Sequence, residues 1–250
     1  MPFTHVFEAF LPLGREAASV LYPRACPLCE VEDLGDGAGC AEHRLQTRVE
    51  GPRCGRCALA LAPILPDGSK CPACRADPPD FAHAACLLDY RDLSTRDWIL
   101  ALKHGGRRDL AEPLGRLLGA RLRLEPACEE RRILVPVPLH ATRRFERGYD
   151  QAQLLAKAAA VVANVPLVRA LARLRATPPQ GSTGGPSRLA NVSRAFAARR
   201  CALGVRRAVA GAECWLVDDV LTSGATASAC ALPLKRMGAL RVHVLALARA

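Results

Sequence analysis

The sequence lacks any long hydrophobic run. None of its 250 residues belongs to an uninterrupted apolar stretch close to the roughly 20 residues that a membrane-spanning helix needs. The N-terminal segment is interrupted by His5, Glu8, Arg15 and Glu16 and has no basic leader, unlike a secretion signal. We therefore expect a cytoplasmic protein without membrane insertion. Half of the residues are hydrophobic, enough to bury the core of one large domain or two modest ones.

Aromatic residues are also scarce, at 4% of the chain. This scarcity argues against a protein dedicated to stacking single-stranded bases. Acidic residues are nearly absent from 141–210, where 13 basic residues face 2 acidic ones, an excess equal to the net charge of +11 of the whole chain. Such concentration favours a phosphate-rich ligand or a nucleic acid near this segment. The alternative is a set of arginine-rich helix faces exposed to solvent.

Cysteine, by contrast, is abundant, and its spacing indicates metal binding. Eight of the 12 cysteines lie between 26 and 86, mostly in pairs with two residues between the partners. Two such pairs complete the tetrahedral site of a structural zinc ion. The predicted ligands are Cys26, Cys29, Cys40 and His43 in a first site, and Cys54, Cys57, Cys71 and Cys74 in a second. His43 could instead be an ordinary surface residue, and Cys86, Cys128, Cys201, Cys214 and Cys230 are expected to be free thiols.

The predicted zinc module is acidic. Residues 1–85 contain 8 basic and 11 acidic residues, and zinc held by thiolates adds further negative charge. Four protein ligands leave no open position for water, so both zinc ions should be structural. A nucleic acid, if one binds, is therefore expected on 141–210 and not on the zinc module.

The chain divides into three predicted regions: an N-terminal helix over 1–21, a double zinc ribbon over 22–83 and an α/β domain over 84–250. In the last region, strands are predicted at 84–90, 132–138, 213–220 and 241–248, alternating with helices that include 150–163, with Asp150 as its N-cap. The glycine- and proline-rich stretch 177–187 is predicted to be a loop. Alternating strands and helices predict a mostly parallel sheet flanked by helices.

The stretch VDDVLTSGAT, residues 217–226, suits a phosphorylated ribose. Two carboxylates at the end of a strand can accept hydrogen bonds from vicinal sugar hydroxyls. The loop that follows can hold a phosphate through its backbone N–H groups, its hydroxyls and the N-terminus of the next helix. The predicted ligand-binding residues are Asp218, Asp219, Thr222, Ser223, Gly224, Ala225 and Thr226.

This stretch resembles the phosphoribosyl diphosphate (PRPP) motif of type I phosphoribosyltransferases. Together with the cysteine-rich N-terminus, LKHGGRRDLAEPLG, VPVPLHATRRFERGYDQAQLLAKA and RLRATPPQ...SRLANVSRAF, it resembles the ComF/GntX family of competence-related proteins over 22–250. The resemblance implies a type I phosphoribosyltransferase fold, with Mg²⁺ bound alongside PRPP. It places Val137 in the turn that meets pyrophosphate and a flap at about 174–191. The cations expected to neutralise the pyrophosphate are Lys103, Arg143, Arg144, Arg147 and Arg188. Asp150 departs from the asparagine usual in the family.

Two functions follow from the resemblance. The first is transfer of a phosphoribosyl group from PRPP to an acceptor that the sequence does not identify, linked to DNA uptake. The second is a non-catalytic competence factor that binds single-stranded DNA or competence-machinery proteins, with a PRPP-sensing or vestigial site. A purine-pathway amidotransferase is disfavoured, because Cys26 is the first cysteine and no N-terminal nucleophile is present.

Overall fold

The computed structural model forms two compact units, Met1–Leu45 and Gln46–Ala250. It describes residues 26, 28–29, 40–45, 51–126, 131–175, 195–199 and 203–250. In the first unit the described residues are the first cysteine cluster and its neighbours. The second unit contains the other cysteine cluster and the α/β elements. The predicted helix over 1–21 and the predicted loop over 177–187 lie outside the described residues.

Strands of the second unit build a parallel sheet and a small hairpin. The strands are β1 (His83–Asp89), β2 (Arg132–Pro136), β3 (Leu171–Arg173), β4 (Phe196–Ala198), β5 (Glu213–Leu221) and β6 (Arg241–Arg249). The sheet has the order β1-β6-β5-β2 with every pair parallel, and β3 pairs antiparallel with β4. A single bridge between Leu134 and Leu167 adds an extended segment on the other side of β2.

Helices cover both faces of the sheet. They are α1 (Pro72–Ala76), α2 (Leu93–His104), α3 (Ala111–Arg123), α4 (Ala141–Arg147), α5 (Gln151–Ala163), α6 (Leu203–Val209) and α7 (Ala225–Arg236), with a 3-10 turn at Arg108–Leu110. α3 and α5 pack on one face, and α7 and the β3–β4 hairpin pack on the other. α3 and α5 approach closely, because a Cβ added at Gly115 would lie 2.6 Å from the Leu155 carbonyl oxygen.

The predicted parallel sheet flanked by helices is confirmed, and each predicted strand lies within two residues of its observed bounds. Asp150 caps α5 as predicted, accepting a hydrogen bond from the Gln153 N–H at 3.1 Å. α2 begins at Leu93. The reason is Asp92, whose carboxylate accepts from the Thr95 N–H at 2.7 Å and starts the helix there.

Chain connections place a crevice at the carboxyl ends of β2 and β5. From β2 the chain passes through α5 to the bridge at Leu167 on one side, whereas from β5 it passes through α7 to β6 on the other. In open α/β sheets, ligands bind where neighbouring connections diverge in this way. None of the helices in the described parts of the chain combines the length and the apolar character that crossing a bilayer requires.

Candidate functional site

The two adjacent acids of β5 lie on opposite faces of the sheet, because side chains alternate along a strand. Asp219 points towards α2 and α5 and is only 4% exposed. One of its oxygens lies 2.9 Å from Nζ of Lys103, and the other accepts a hydrogen bond from Nε2 of Gln151 at 3.1 Å. The carboxylate of Asp219 is therefore held in a fixed orientation by groups from two helices.

Asp218 has a different environment. It is half-buried, and one of its oxygens accepts a hydrogen bond from the Asp219 N–H at 2.9 Å. Burial and the neighbouring charge of Asp219 raise the pKa of Asp218 to about 7, although Lys103 acts in the opposite direction. A carboxyl group with this pKa is only partly ionised near neutral pH. It can therefore contact a cation in its ionised form or a hydroxyl in either form.

The loop after β5 leads directly into the N-terminus of α7. Gly224 has φ +81°, a backbone conformation that favours glycine, and a Cβ at this position would lie in tight contact, 3.2 Å from the ring of Phe81. α7 begins directly after Gly224, with its first N–H groups at the mouth of the loop. Ser223 Oγ accepts from the Ala225 N–H at 3.4 Å, while Thr222 and Thr226 are half-buried beside the loop.

The turn after β2 lies next to this strand end. The Val137 N–H donates to the Val217 carbonyl at 3.0 Å, which extends the pairing of β2 and β5 beyond the strand. The Leu139 N–H donates to Oδ2 of Asp150 at 3.4 Å. Asp150 thus fixes the turn with one oxygen and caps α5 with the other. An asparagine has a single side-chain acceptor oxygen, so it could not make both contacts through separate atoms as Asp150 does.

Basic side chains from α2 and α4 lie near one another on the side of Asp219. Burial lowers the pKa of His104, and the nearby charges of Arg147, Lys103 and Arg143 lower it further. Among the described residues, Arg147 also has a buried guanidinium nitrogen, Nη1, with no hydrogen-bond partner. A buried donor without a partner is suited to an anionic ligand. Arg144 is exposed, and Arg188 lies outside the described residues.

The second cysteine cluster has the geometry of a tetrahedral metal site. The four sulfur atoms of Cys54, Cys57, Cys71 and Cys74 all lie within 4.8 Å of one another. Sγ of Cys57 and Sγ of Cys71 are 3.7 Å apart, close to the edge of about 3.8 Å that zinc–sulfur bonds of about 2.3 Å produce. Burial opposes ionisation of Cys54, but backbone N–H groups of Cys71 and Cys57 lower its pKa to about 6.

The first cysteine cluster shows the same geometry with one imidazole. Cys29 and Cys40 have their sulfur atoms 3.6 Å apart, and Cys40 Sγ lies 3.5 Å from Nδ1 of His43. These values fit the edges of a tetrahedron with sulfur and nitrogen ligands. A backbone hydrogen bond from His43 is the main cause that lowers the pKa of Cys40 to about 6. Cys26 is the fourth ligand of the first cluster. Both clusters could hold structural zinc.

Three residues of the site were missed by the sequence reasoning. Gln151 orients Asp219, and its place directly after Asp150 in the RGYDQ stretch was a usable signal. Phe81 packs against Gly224, and Arg249 donates to the carbonyl of Leu221 at 3.0 Å. The sequence around Phe81 and Arg249 does not predict these contacts, because both residues reach the loop only when distant segments pack together.

Two solved structures show a partial likeness to this chain. An allosteric regulatory enzyme of purine biosynthesis matches with a TM-score of 0.38 at 20% identity, covering 59% of this chain and 30% of that one. Glutamine PRPP amidotransferase from B. subtilis, complexed with ADP and GMP, matches with a TM-score of 0.37 at 20% identity, covering 58% of this chain and 30% of that one.

No family model matches the sequence. DNA utilization protein YhgH of Escherichia coli strain K12 is 31% identical, over 91% of this chain and 97% of that protein. The protein of the same name from Salmonella typhimurium is 30% identical over the same shares. Competence protein F of Haemophilus influenzae is 32% identical over 47% of this chain and 50% of its own length. The chain therefore belongs to the ComF family, together with the DNA utilization protein YhgH and competence protein F.

Proposed function

We propose that this chain binds PRPP and transfers its phosphoribosyl group to an acceptor. The observation that carries the proposal is the sequence of groups at the carboxyl end of β5: Asp218 and Asp219, then the Gly224 loop, then the N-terminus of α7. This order offers two acceptors for vicinal hydroxyls and, a few residues on, N–H donors for a phosphate. The site lies where the sheet connections diverge, the expected place for a ligand.

Each acid has its own role in the proposed complex. Asp219 is already oriented by Lys103 and Gln151, so it would hold one ribose hydroxyl in a fixed position. Asp218 would accept from the second hydroxyl or bind a cation. Its carboxyl oxygens are the ligand type that Mg²⁺ prefers, and bound Mg²⁺ would neutralise charge on the pyrophosphate. Residues 222–226 would receive the 5-phosphate.

The basic residues would stabilise the leaving group. In the transfer, the bond between C1 and the pyrophosphate oxygen breaks, its electron pair leaves with pyrophosphate, and the acceptor nucleophile forms the new bond to C1. Negative charge therefore grows on the pyrophosphate, where Lys103, Arg143 and Arg147 are the described candidates to compensate it. Arg147 has the buried donor without a partner. Arg188 remains a predicted member of this group.

The two cysteine clusters are proposed to hold structural zinc. Each cluster presents four ligands within 4.8 Å and therefore closes the coordination shell with protein atoms. A closed site supplies folding free energy and not catalysis.

Incubation of the purified protein with PRPP, Mg²⁺ and a panel of acceptors, DNA included, tests the activity by following pyrophosphate release. Release that depends on one acceptor and disappears in Asp218→Asn with Asp219→Asn is the expected result. Binding of PRPP without release for any acceptor would contradict transfer and favour a PRPP sensor. Absence of PRPP binding to the wild type would contradict the proposal as a whole.

A second function, binding of single-stranded nucleic acid, is favoured by the surface of α4. Phe145 is 91% exposed there, and Arg143, Arg144 and Arg147 surround it in the sequence. An aromatic ring beside arginines is the combination that stacks bases and contacts phosphates. A pocket of about 790 Å³ lies beside it, lined by residues of α4, α5 and the turn between them, including Arg144, Phe145 and Tyr149. The names of the relatives, DNA utilization protein and competence protein, agree with such a partner.

Fluorescence anisotropy of a labelled oligonucleotide tests this second function. Affinity should fall with rising salt, and Phe145→Ala or Arg144→Met should weaken it. Leu124→Ala is the matched control for an exposed apolar side chain at another place, and Arg123→Met is the control for an exposed arginine. Equal losses in the controls and in the α4 variants would contradict an interface on α4.

A further inference from the structure

Arg249 joins the second cysteine cluster to the loop after β5. It lies at the carboxyl end of β6, and its side chain is buried. Its Nε donates to the carbonyl of Cys57 at 2.8 Å, and its Nη1 donates to the carbonyl of Leu221 at 3.0 Å. Cys57 is one of the cluster's sulfur ligands, and Leu221 immediately precedes the loop that begins at Thr222. One buried guanidinium therefore contacts both structures.

A second set of contacts links the cluster to the same loop. Arg56 lies in the short turn between the ligands Cys54 and Cys57, here called the knuckle. It donates from Nη2 to the carbonyl of Pro79 at 2.7 Å. The next residue, Asp80, donates its N–H to Oγ of Ser228 at 3.1 Å, in the first turn of α7. Phe81 then packs against Gly224. The cluster thus supports the loop from the side of the 79–81 segment as well.

The charge of Arg249 fits a metal-loaded cluster. A buried cation is costly unless negative charge lies close to it. Four thiolates around a divalent zinc ion leave a net charge of about −2, which would compensate the guanidinium.

Arg53 provides an internal comparison. Its Nη1 donates to the carbonyl of Ala58 at 3.1 Å, next to Cys57, and its Nη2 lies 3.4 Å from Oδ2 of Asp89. Arg53 therefore also ties the knuckle to the sheet, but its contact is at the end of β1 and not at the loop. Removing it should break this link to β1, while the contact of Arg249 with Leu221 remains in place.

We propose that Arg249 is a positioning residue that couples the second cysteine cluster to the loop after β5, so that an intact cluster is required for tight binding of a phosphorylated ribose. The affinity part of this inference rests on the proposed function of the loop. The coupling itself is a property of the protein without ligand. The two parts can therefore be measured separately.

The experiment compares full-length, zinc-loaded wild type with Arg249→Met, Arg249→Lys and Arg53→Met. Hydrogen exchange of the amides of 222–228 reports the loop, titration with PRPP reports affinity, and metal analysis reports zinc content. Loss of a buried charged hydrogen bond corresponds to about a tenfold change or more. Arg249→Met should therefore show about tenfold faster loop exchange and about tenfold weaker PRPP binding at unchanged zinc content. Arg249→Lys should be intermediate, since it keeps the charge but cannot reach both carbonyls together.

Arg53→Met should match the wild type at the loop. Unchanged exchange and affinity in Arg249→Met would overturn the inference, and so would equal effects in Arg53→Met, which would indicate general loosening. If Arg249→Met does not fold, Arg249→Lys decides between the same outcomes. If the wild type binds no PRPP, the proposed function fails, while the exchange comparison still decides whether Arg249 couples cluster and loop.

Discussion

Nζ of Lys103 lies 2.9 Å from Oδ1 of Asp219. The contact joins the last turn of α2 to the carboxyl end of β5, and it gives the buried carboxylate an opposite charge. In the chain without ligand, Lys103 therefore neutralises an acid and does not stand free for a pyrophosphate. Binding of PRPP would have to share this cation or act on the pair as a unit.

Replacing Lys103 should show how much this residue contributes to the stability of the fold. Lys103→Met leaves Asp219 buried without its cation, which should lower the free energy of unfolding by about 3 kcal/mol. PRPP affinity should fall as well. Lys157→Met, at an exposed position of α5, is the matched control and should change neither quantity. Denaturant unfolding measures the free energy of unfolding, and calorimetric titration measures the PRPP affinity. Wild-type stability in Lys103→Met would show that the pair does not matter for the fold.

Asp218 should make stability depend on pH. Its pKa is about 7 in the folded chain and roughly 4 in an unfolded one. Between these values the folded chain binds more protons than the unfolded chain, so this group lowers the free energy of unfolding as pH rises from about 4 to about 7. In Asp218→Asn this decrease in the free energy of unfolding with rising pH should be absent. The melting temperature of this variant should therefore exceed that of the wild type at pH 8 and match it near pH 4. A difference that is constant over this range would contradict the raised pKa.

Gly224 should tolerate no side chain. Alanine there must adopt a left-handed backbone conformation, costing about 1–2 kcal/mol, and its Cβ would press on the ring of Phe81. Gly224→Ala should therefore abolish PRPP binding and lower the melting temperature. Gly204→Ala is the control, because that position has open space and no left-handed backbone. Equal PRPP binding by Gly224→Ala and wild type would exclude the loop as the phosphate site.

The cysteine clusters should bind two zinc ions per chain. Cys71→Ser should reduce the zinc content by one ion and lower the melting temperature, because the metal supplies folding free energy. Cys86→Ser, outside both clusters, should leave the content at two. Metal analysis by mass spectrometry gives the count. A full zinc content in Cys71→Ser would remove this residue from the ligand set.

Local features of the fold were predictable from the sequence, because they depend on neighbouring residues. The strand that carries Asp218 and Asp219 followed from its apolar run, and the cap at Asp150 followed from its place before a helical pattern. The spacing of the cysteine pairs also predicted the two clusters, because the geometry of a short turn sets the spacing of metal ligands.

Contacts between distant segments were not predictable in this way. The pairing of Lys103 with Asp219 requires α2 to lie over β5, and that placement depends on the packing of the whole sheet. Phe81 and Arg249 reach the loop from positions about 140 residues before and 25 residues after Gly224. Nothing in their immediate sequence distinguishes them from an ordinary core phenylalanine or a solvated arginine. The sequence therefore predicts the acidic pair and the loop as candidates, but not the distant contacts that support them.

The decisive measurement is calorimetric titration of PRPP, with Mg²⁺, into the wild type and into Asp218→Asn with Asp219→Asn. The wild type should bind PRPP, and binding should vanish in the double variant while its zinc content stays unchanged. PRPP binding of equal strength in both proteins would contradict the assignment of the acidic pair to the ribose.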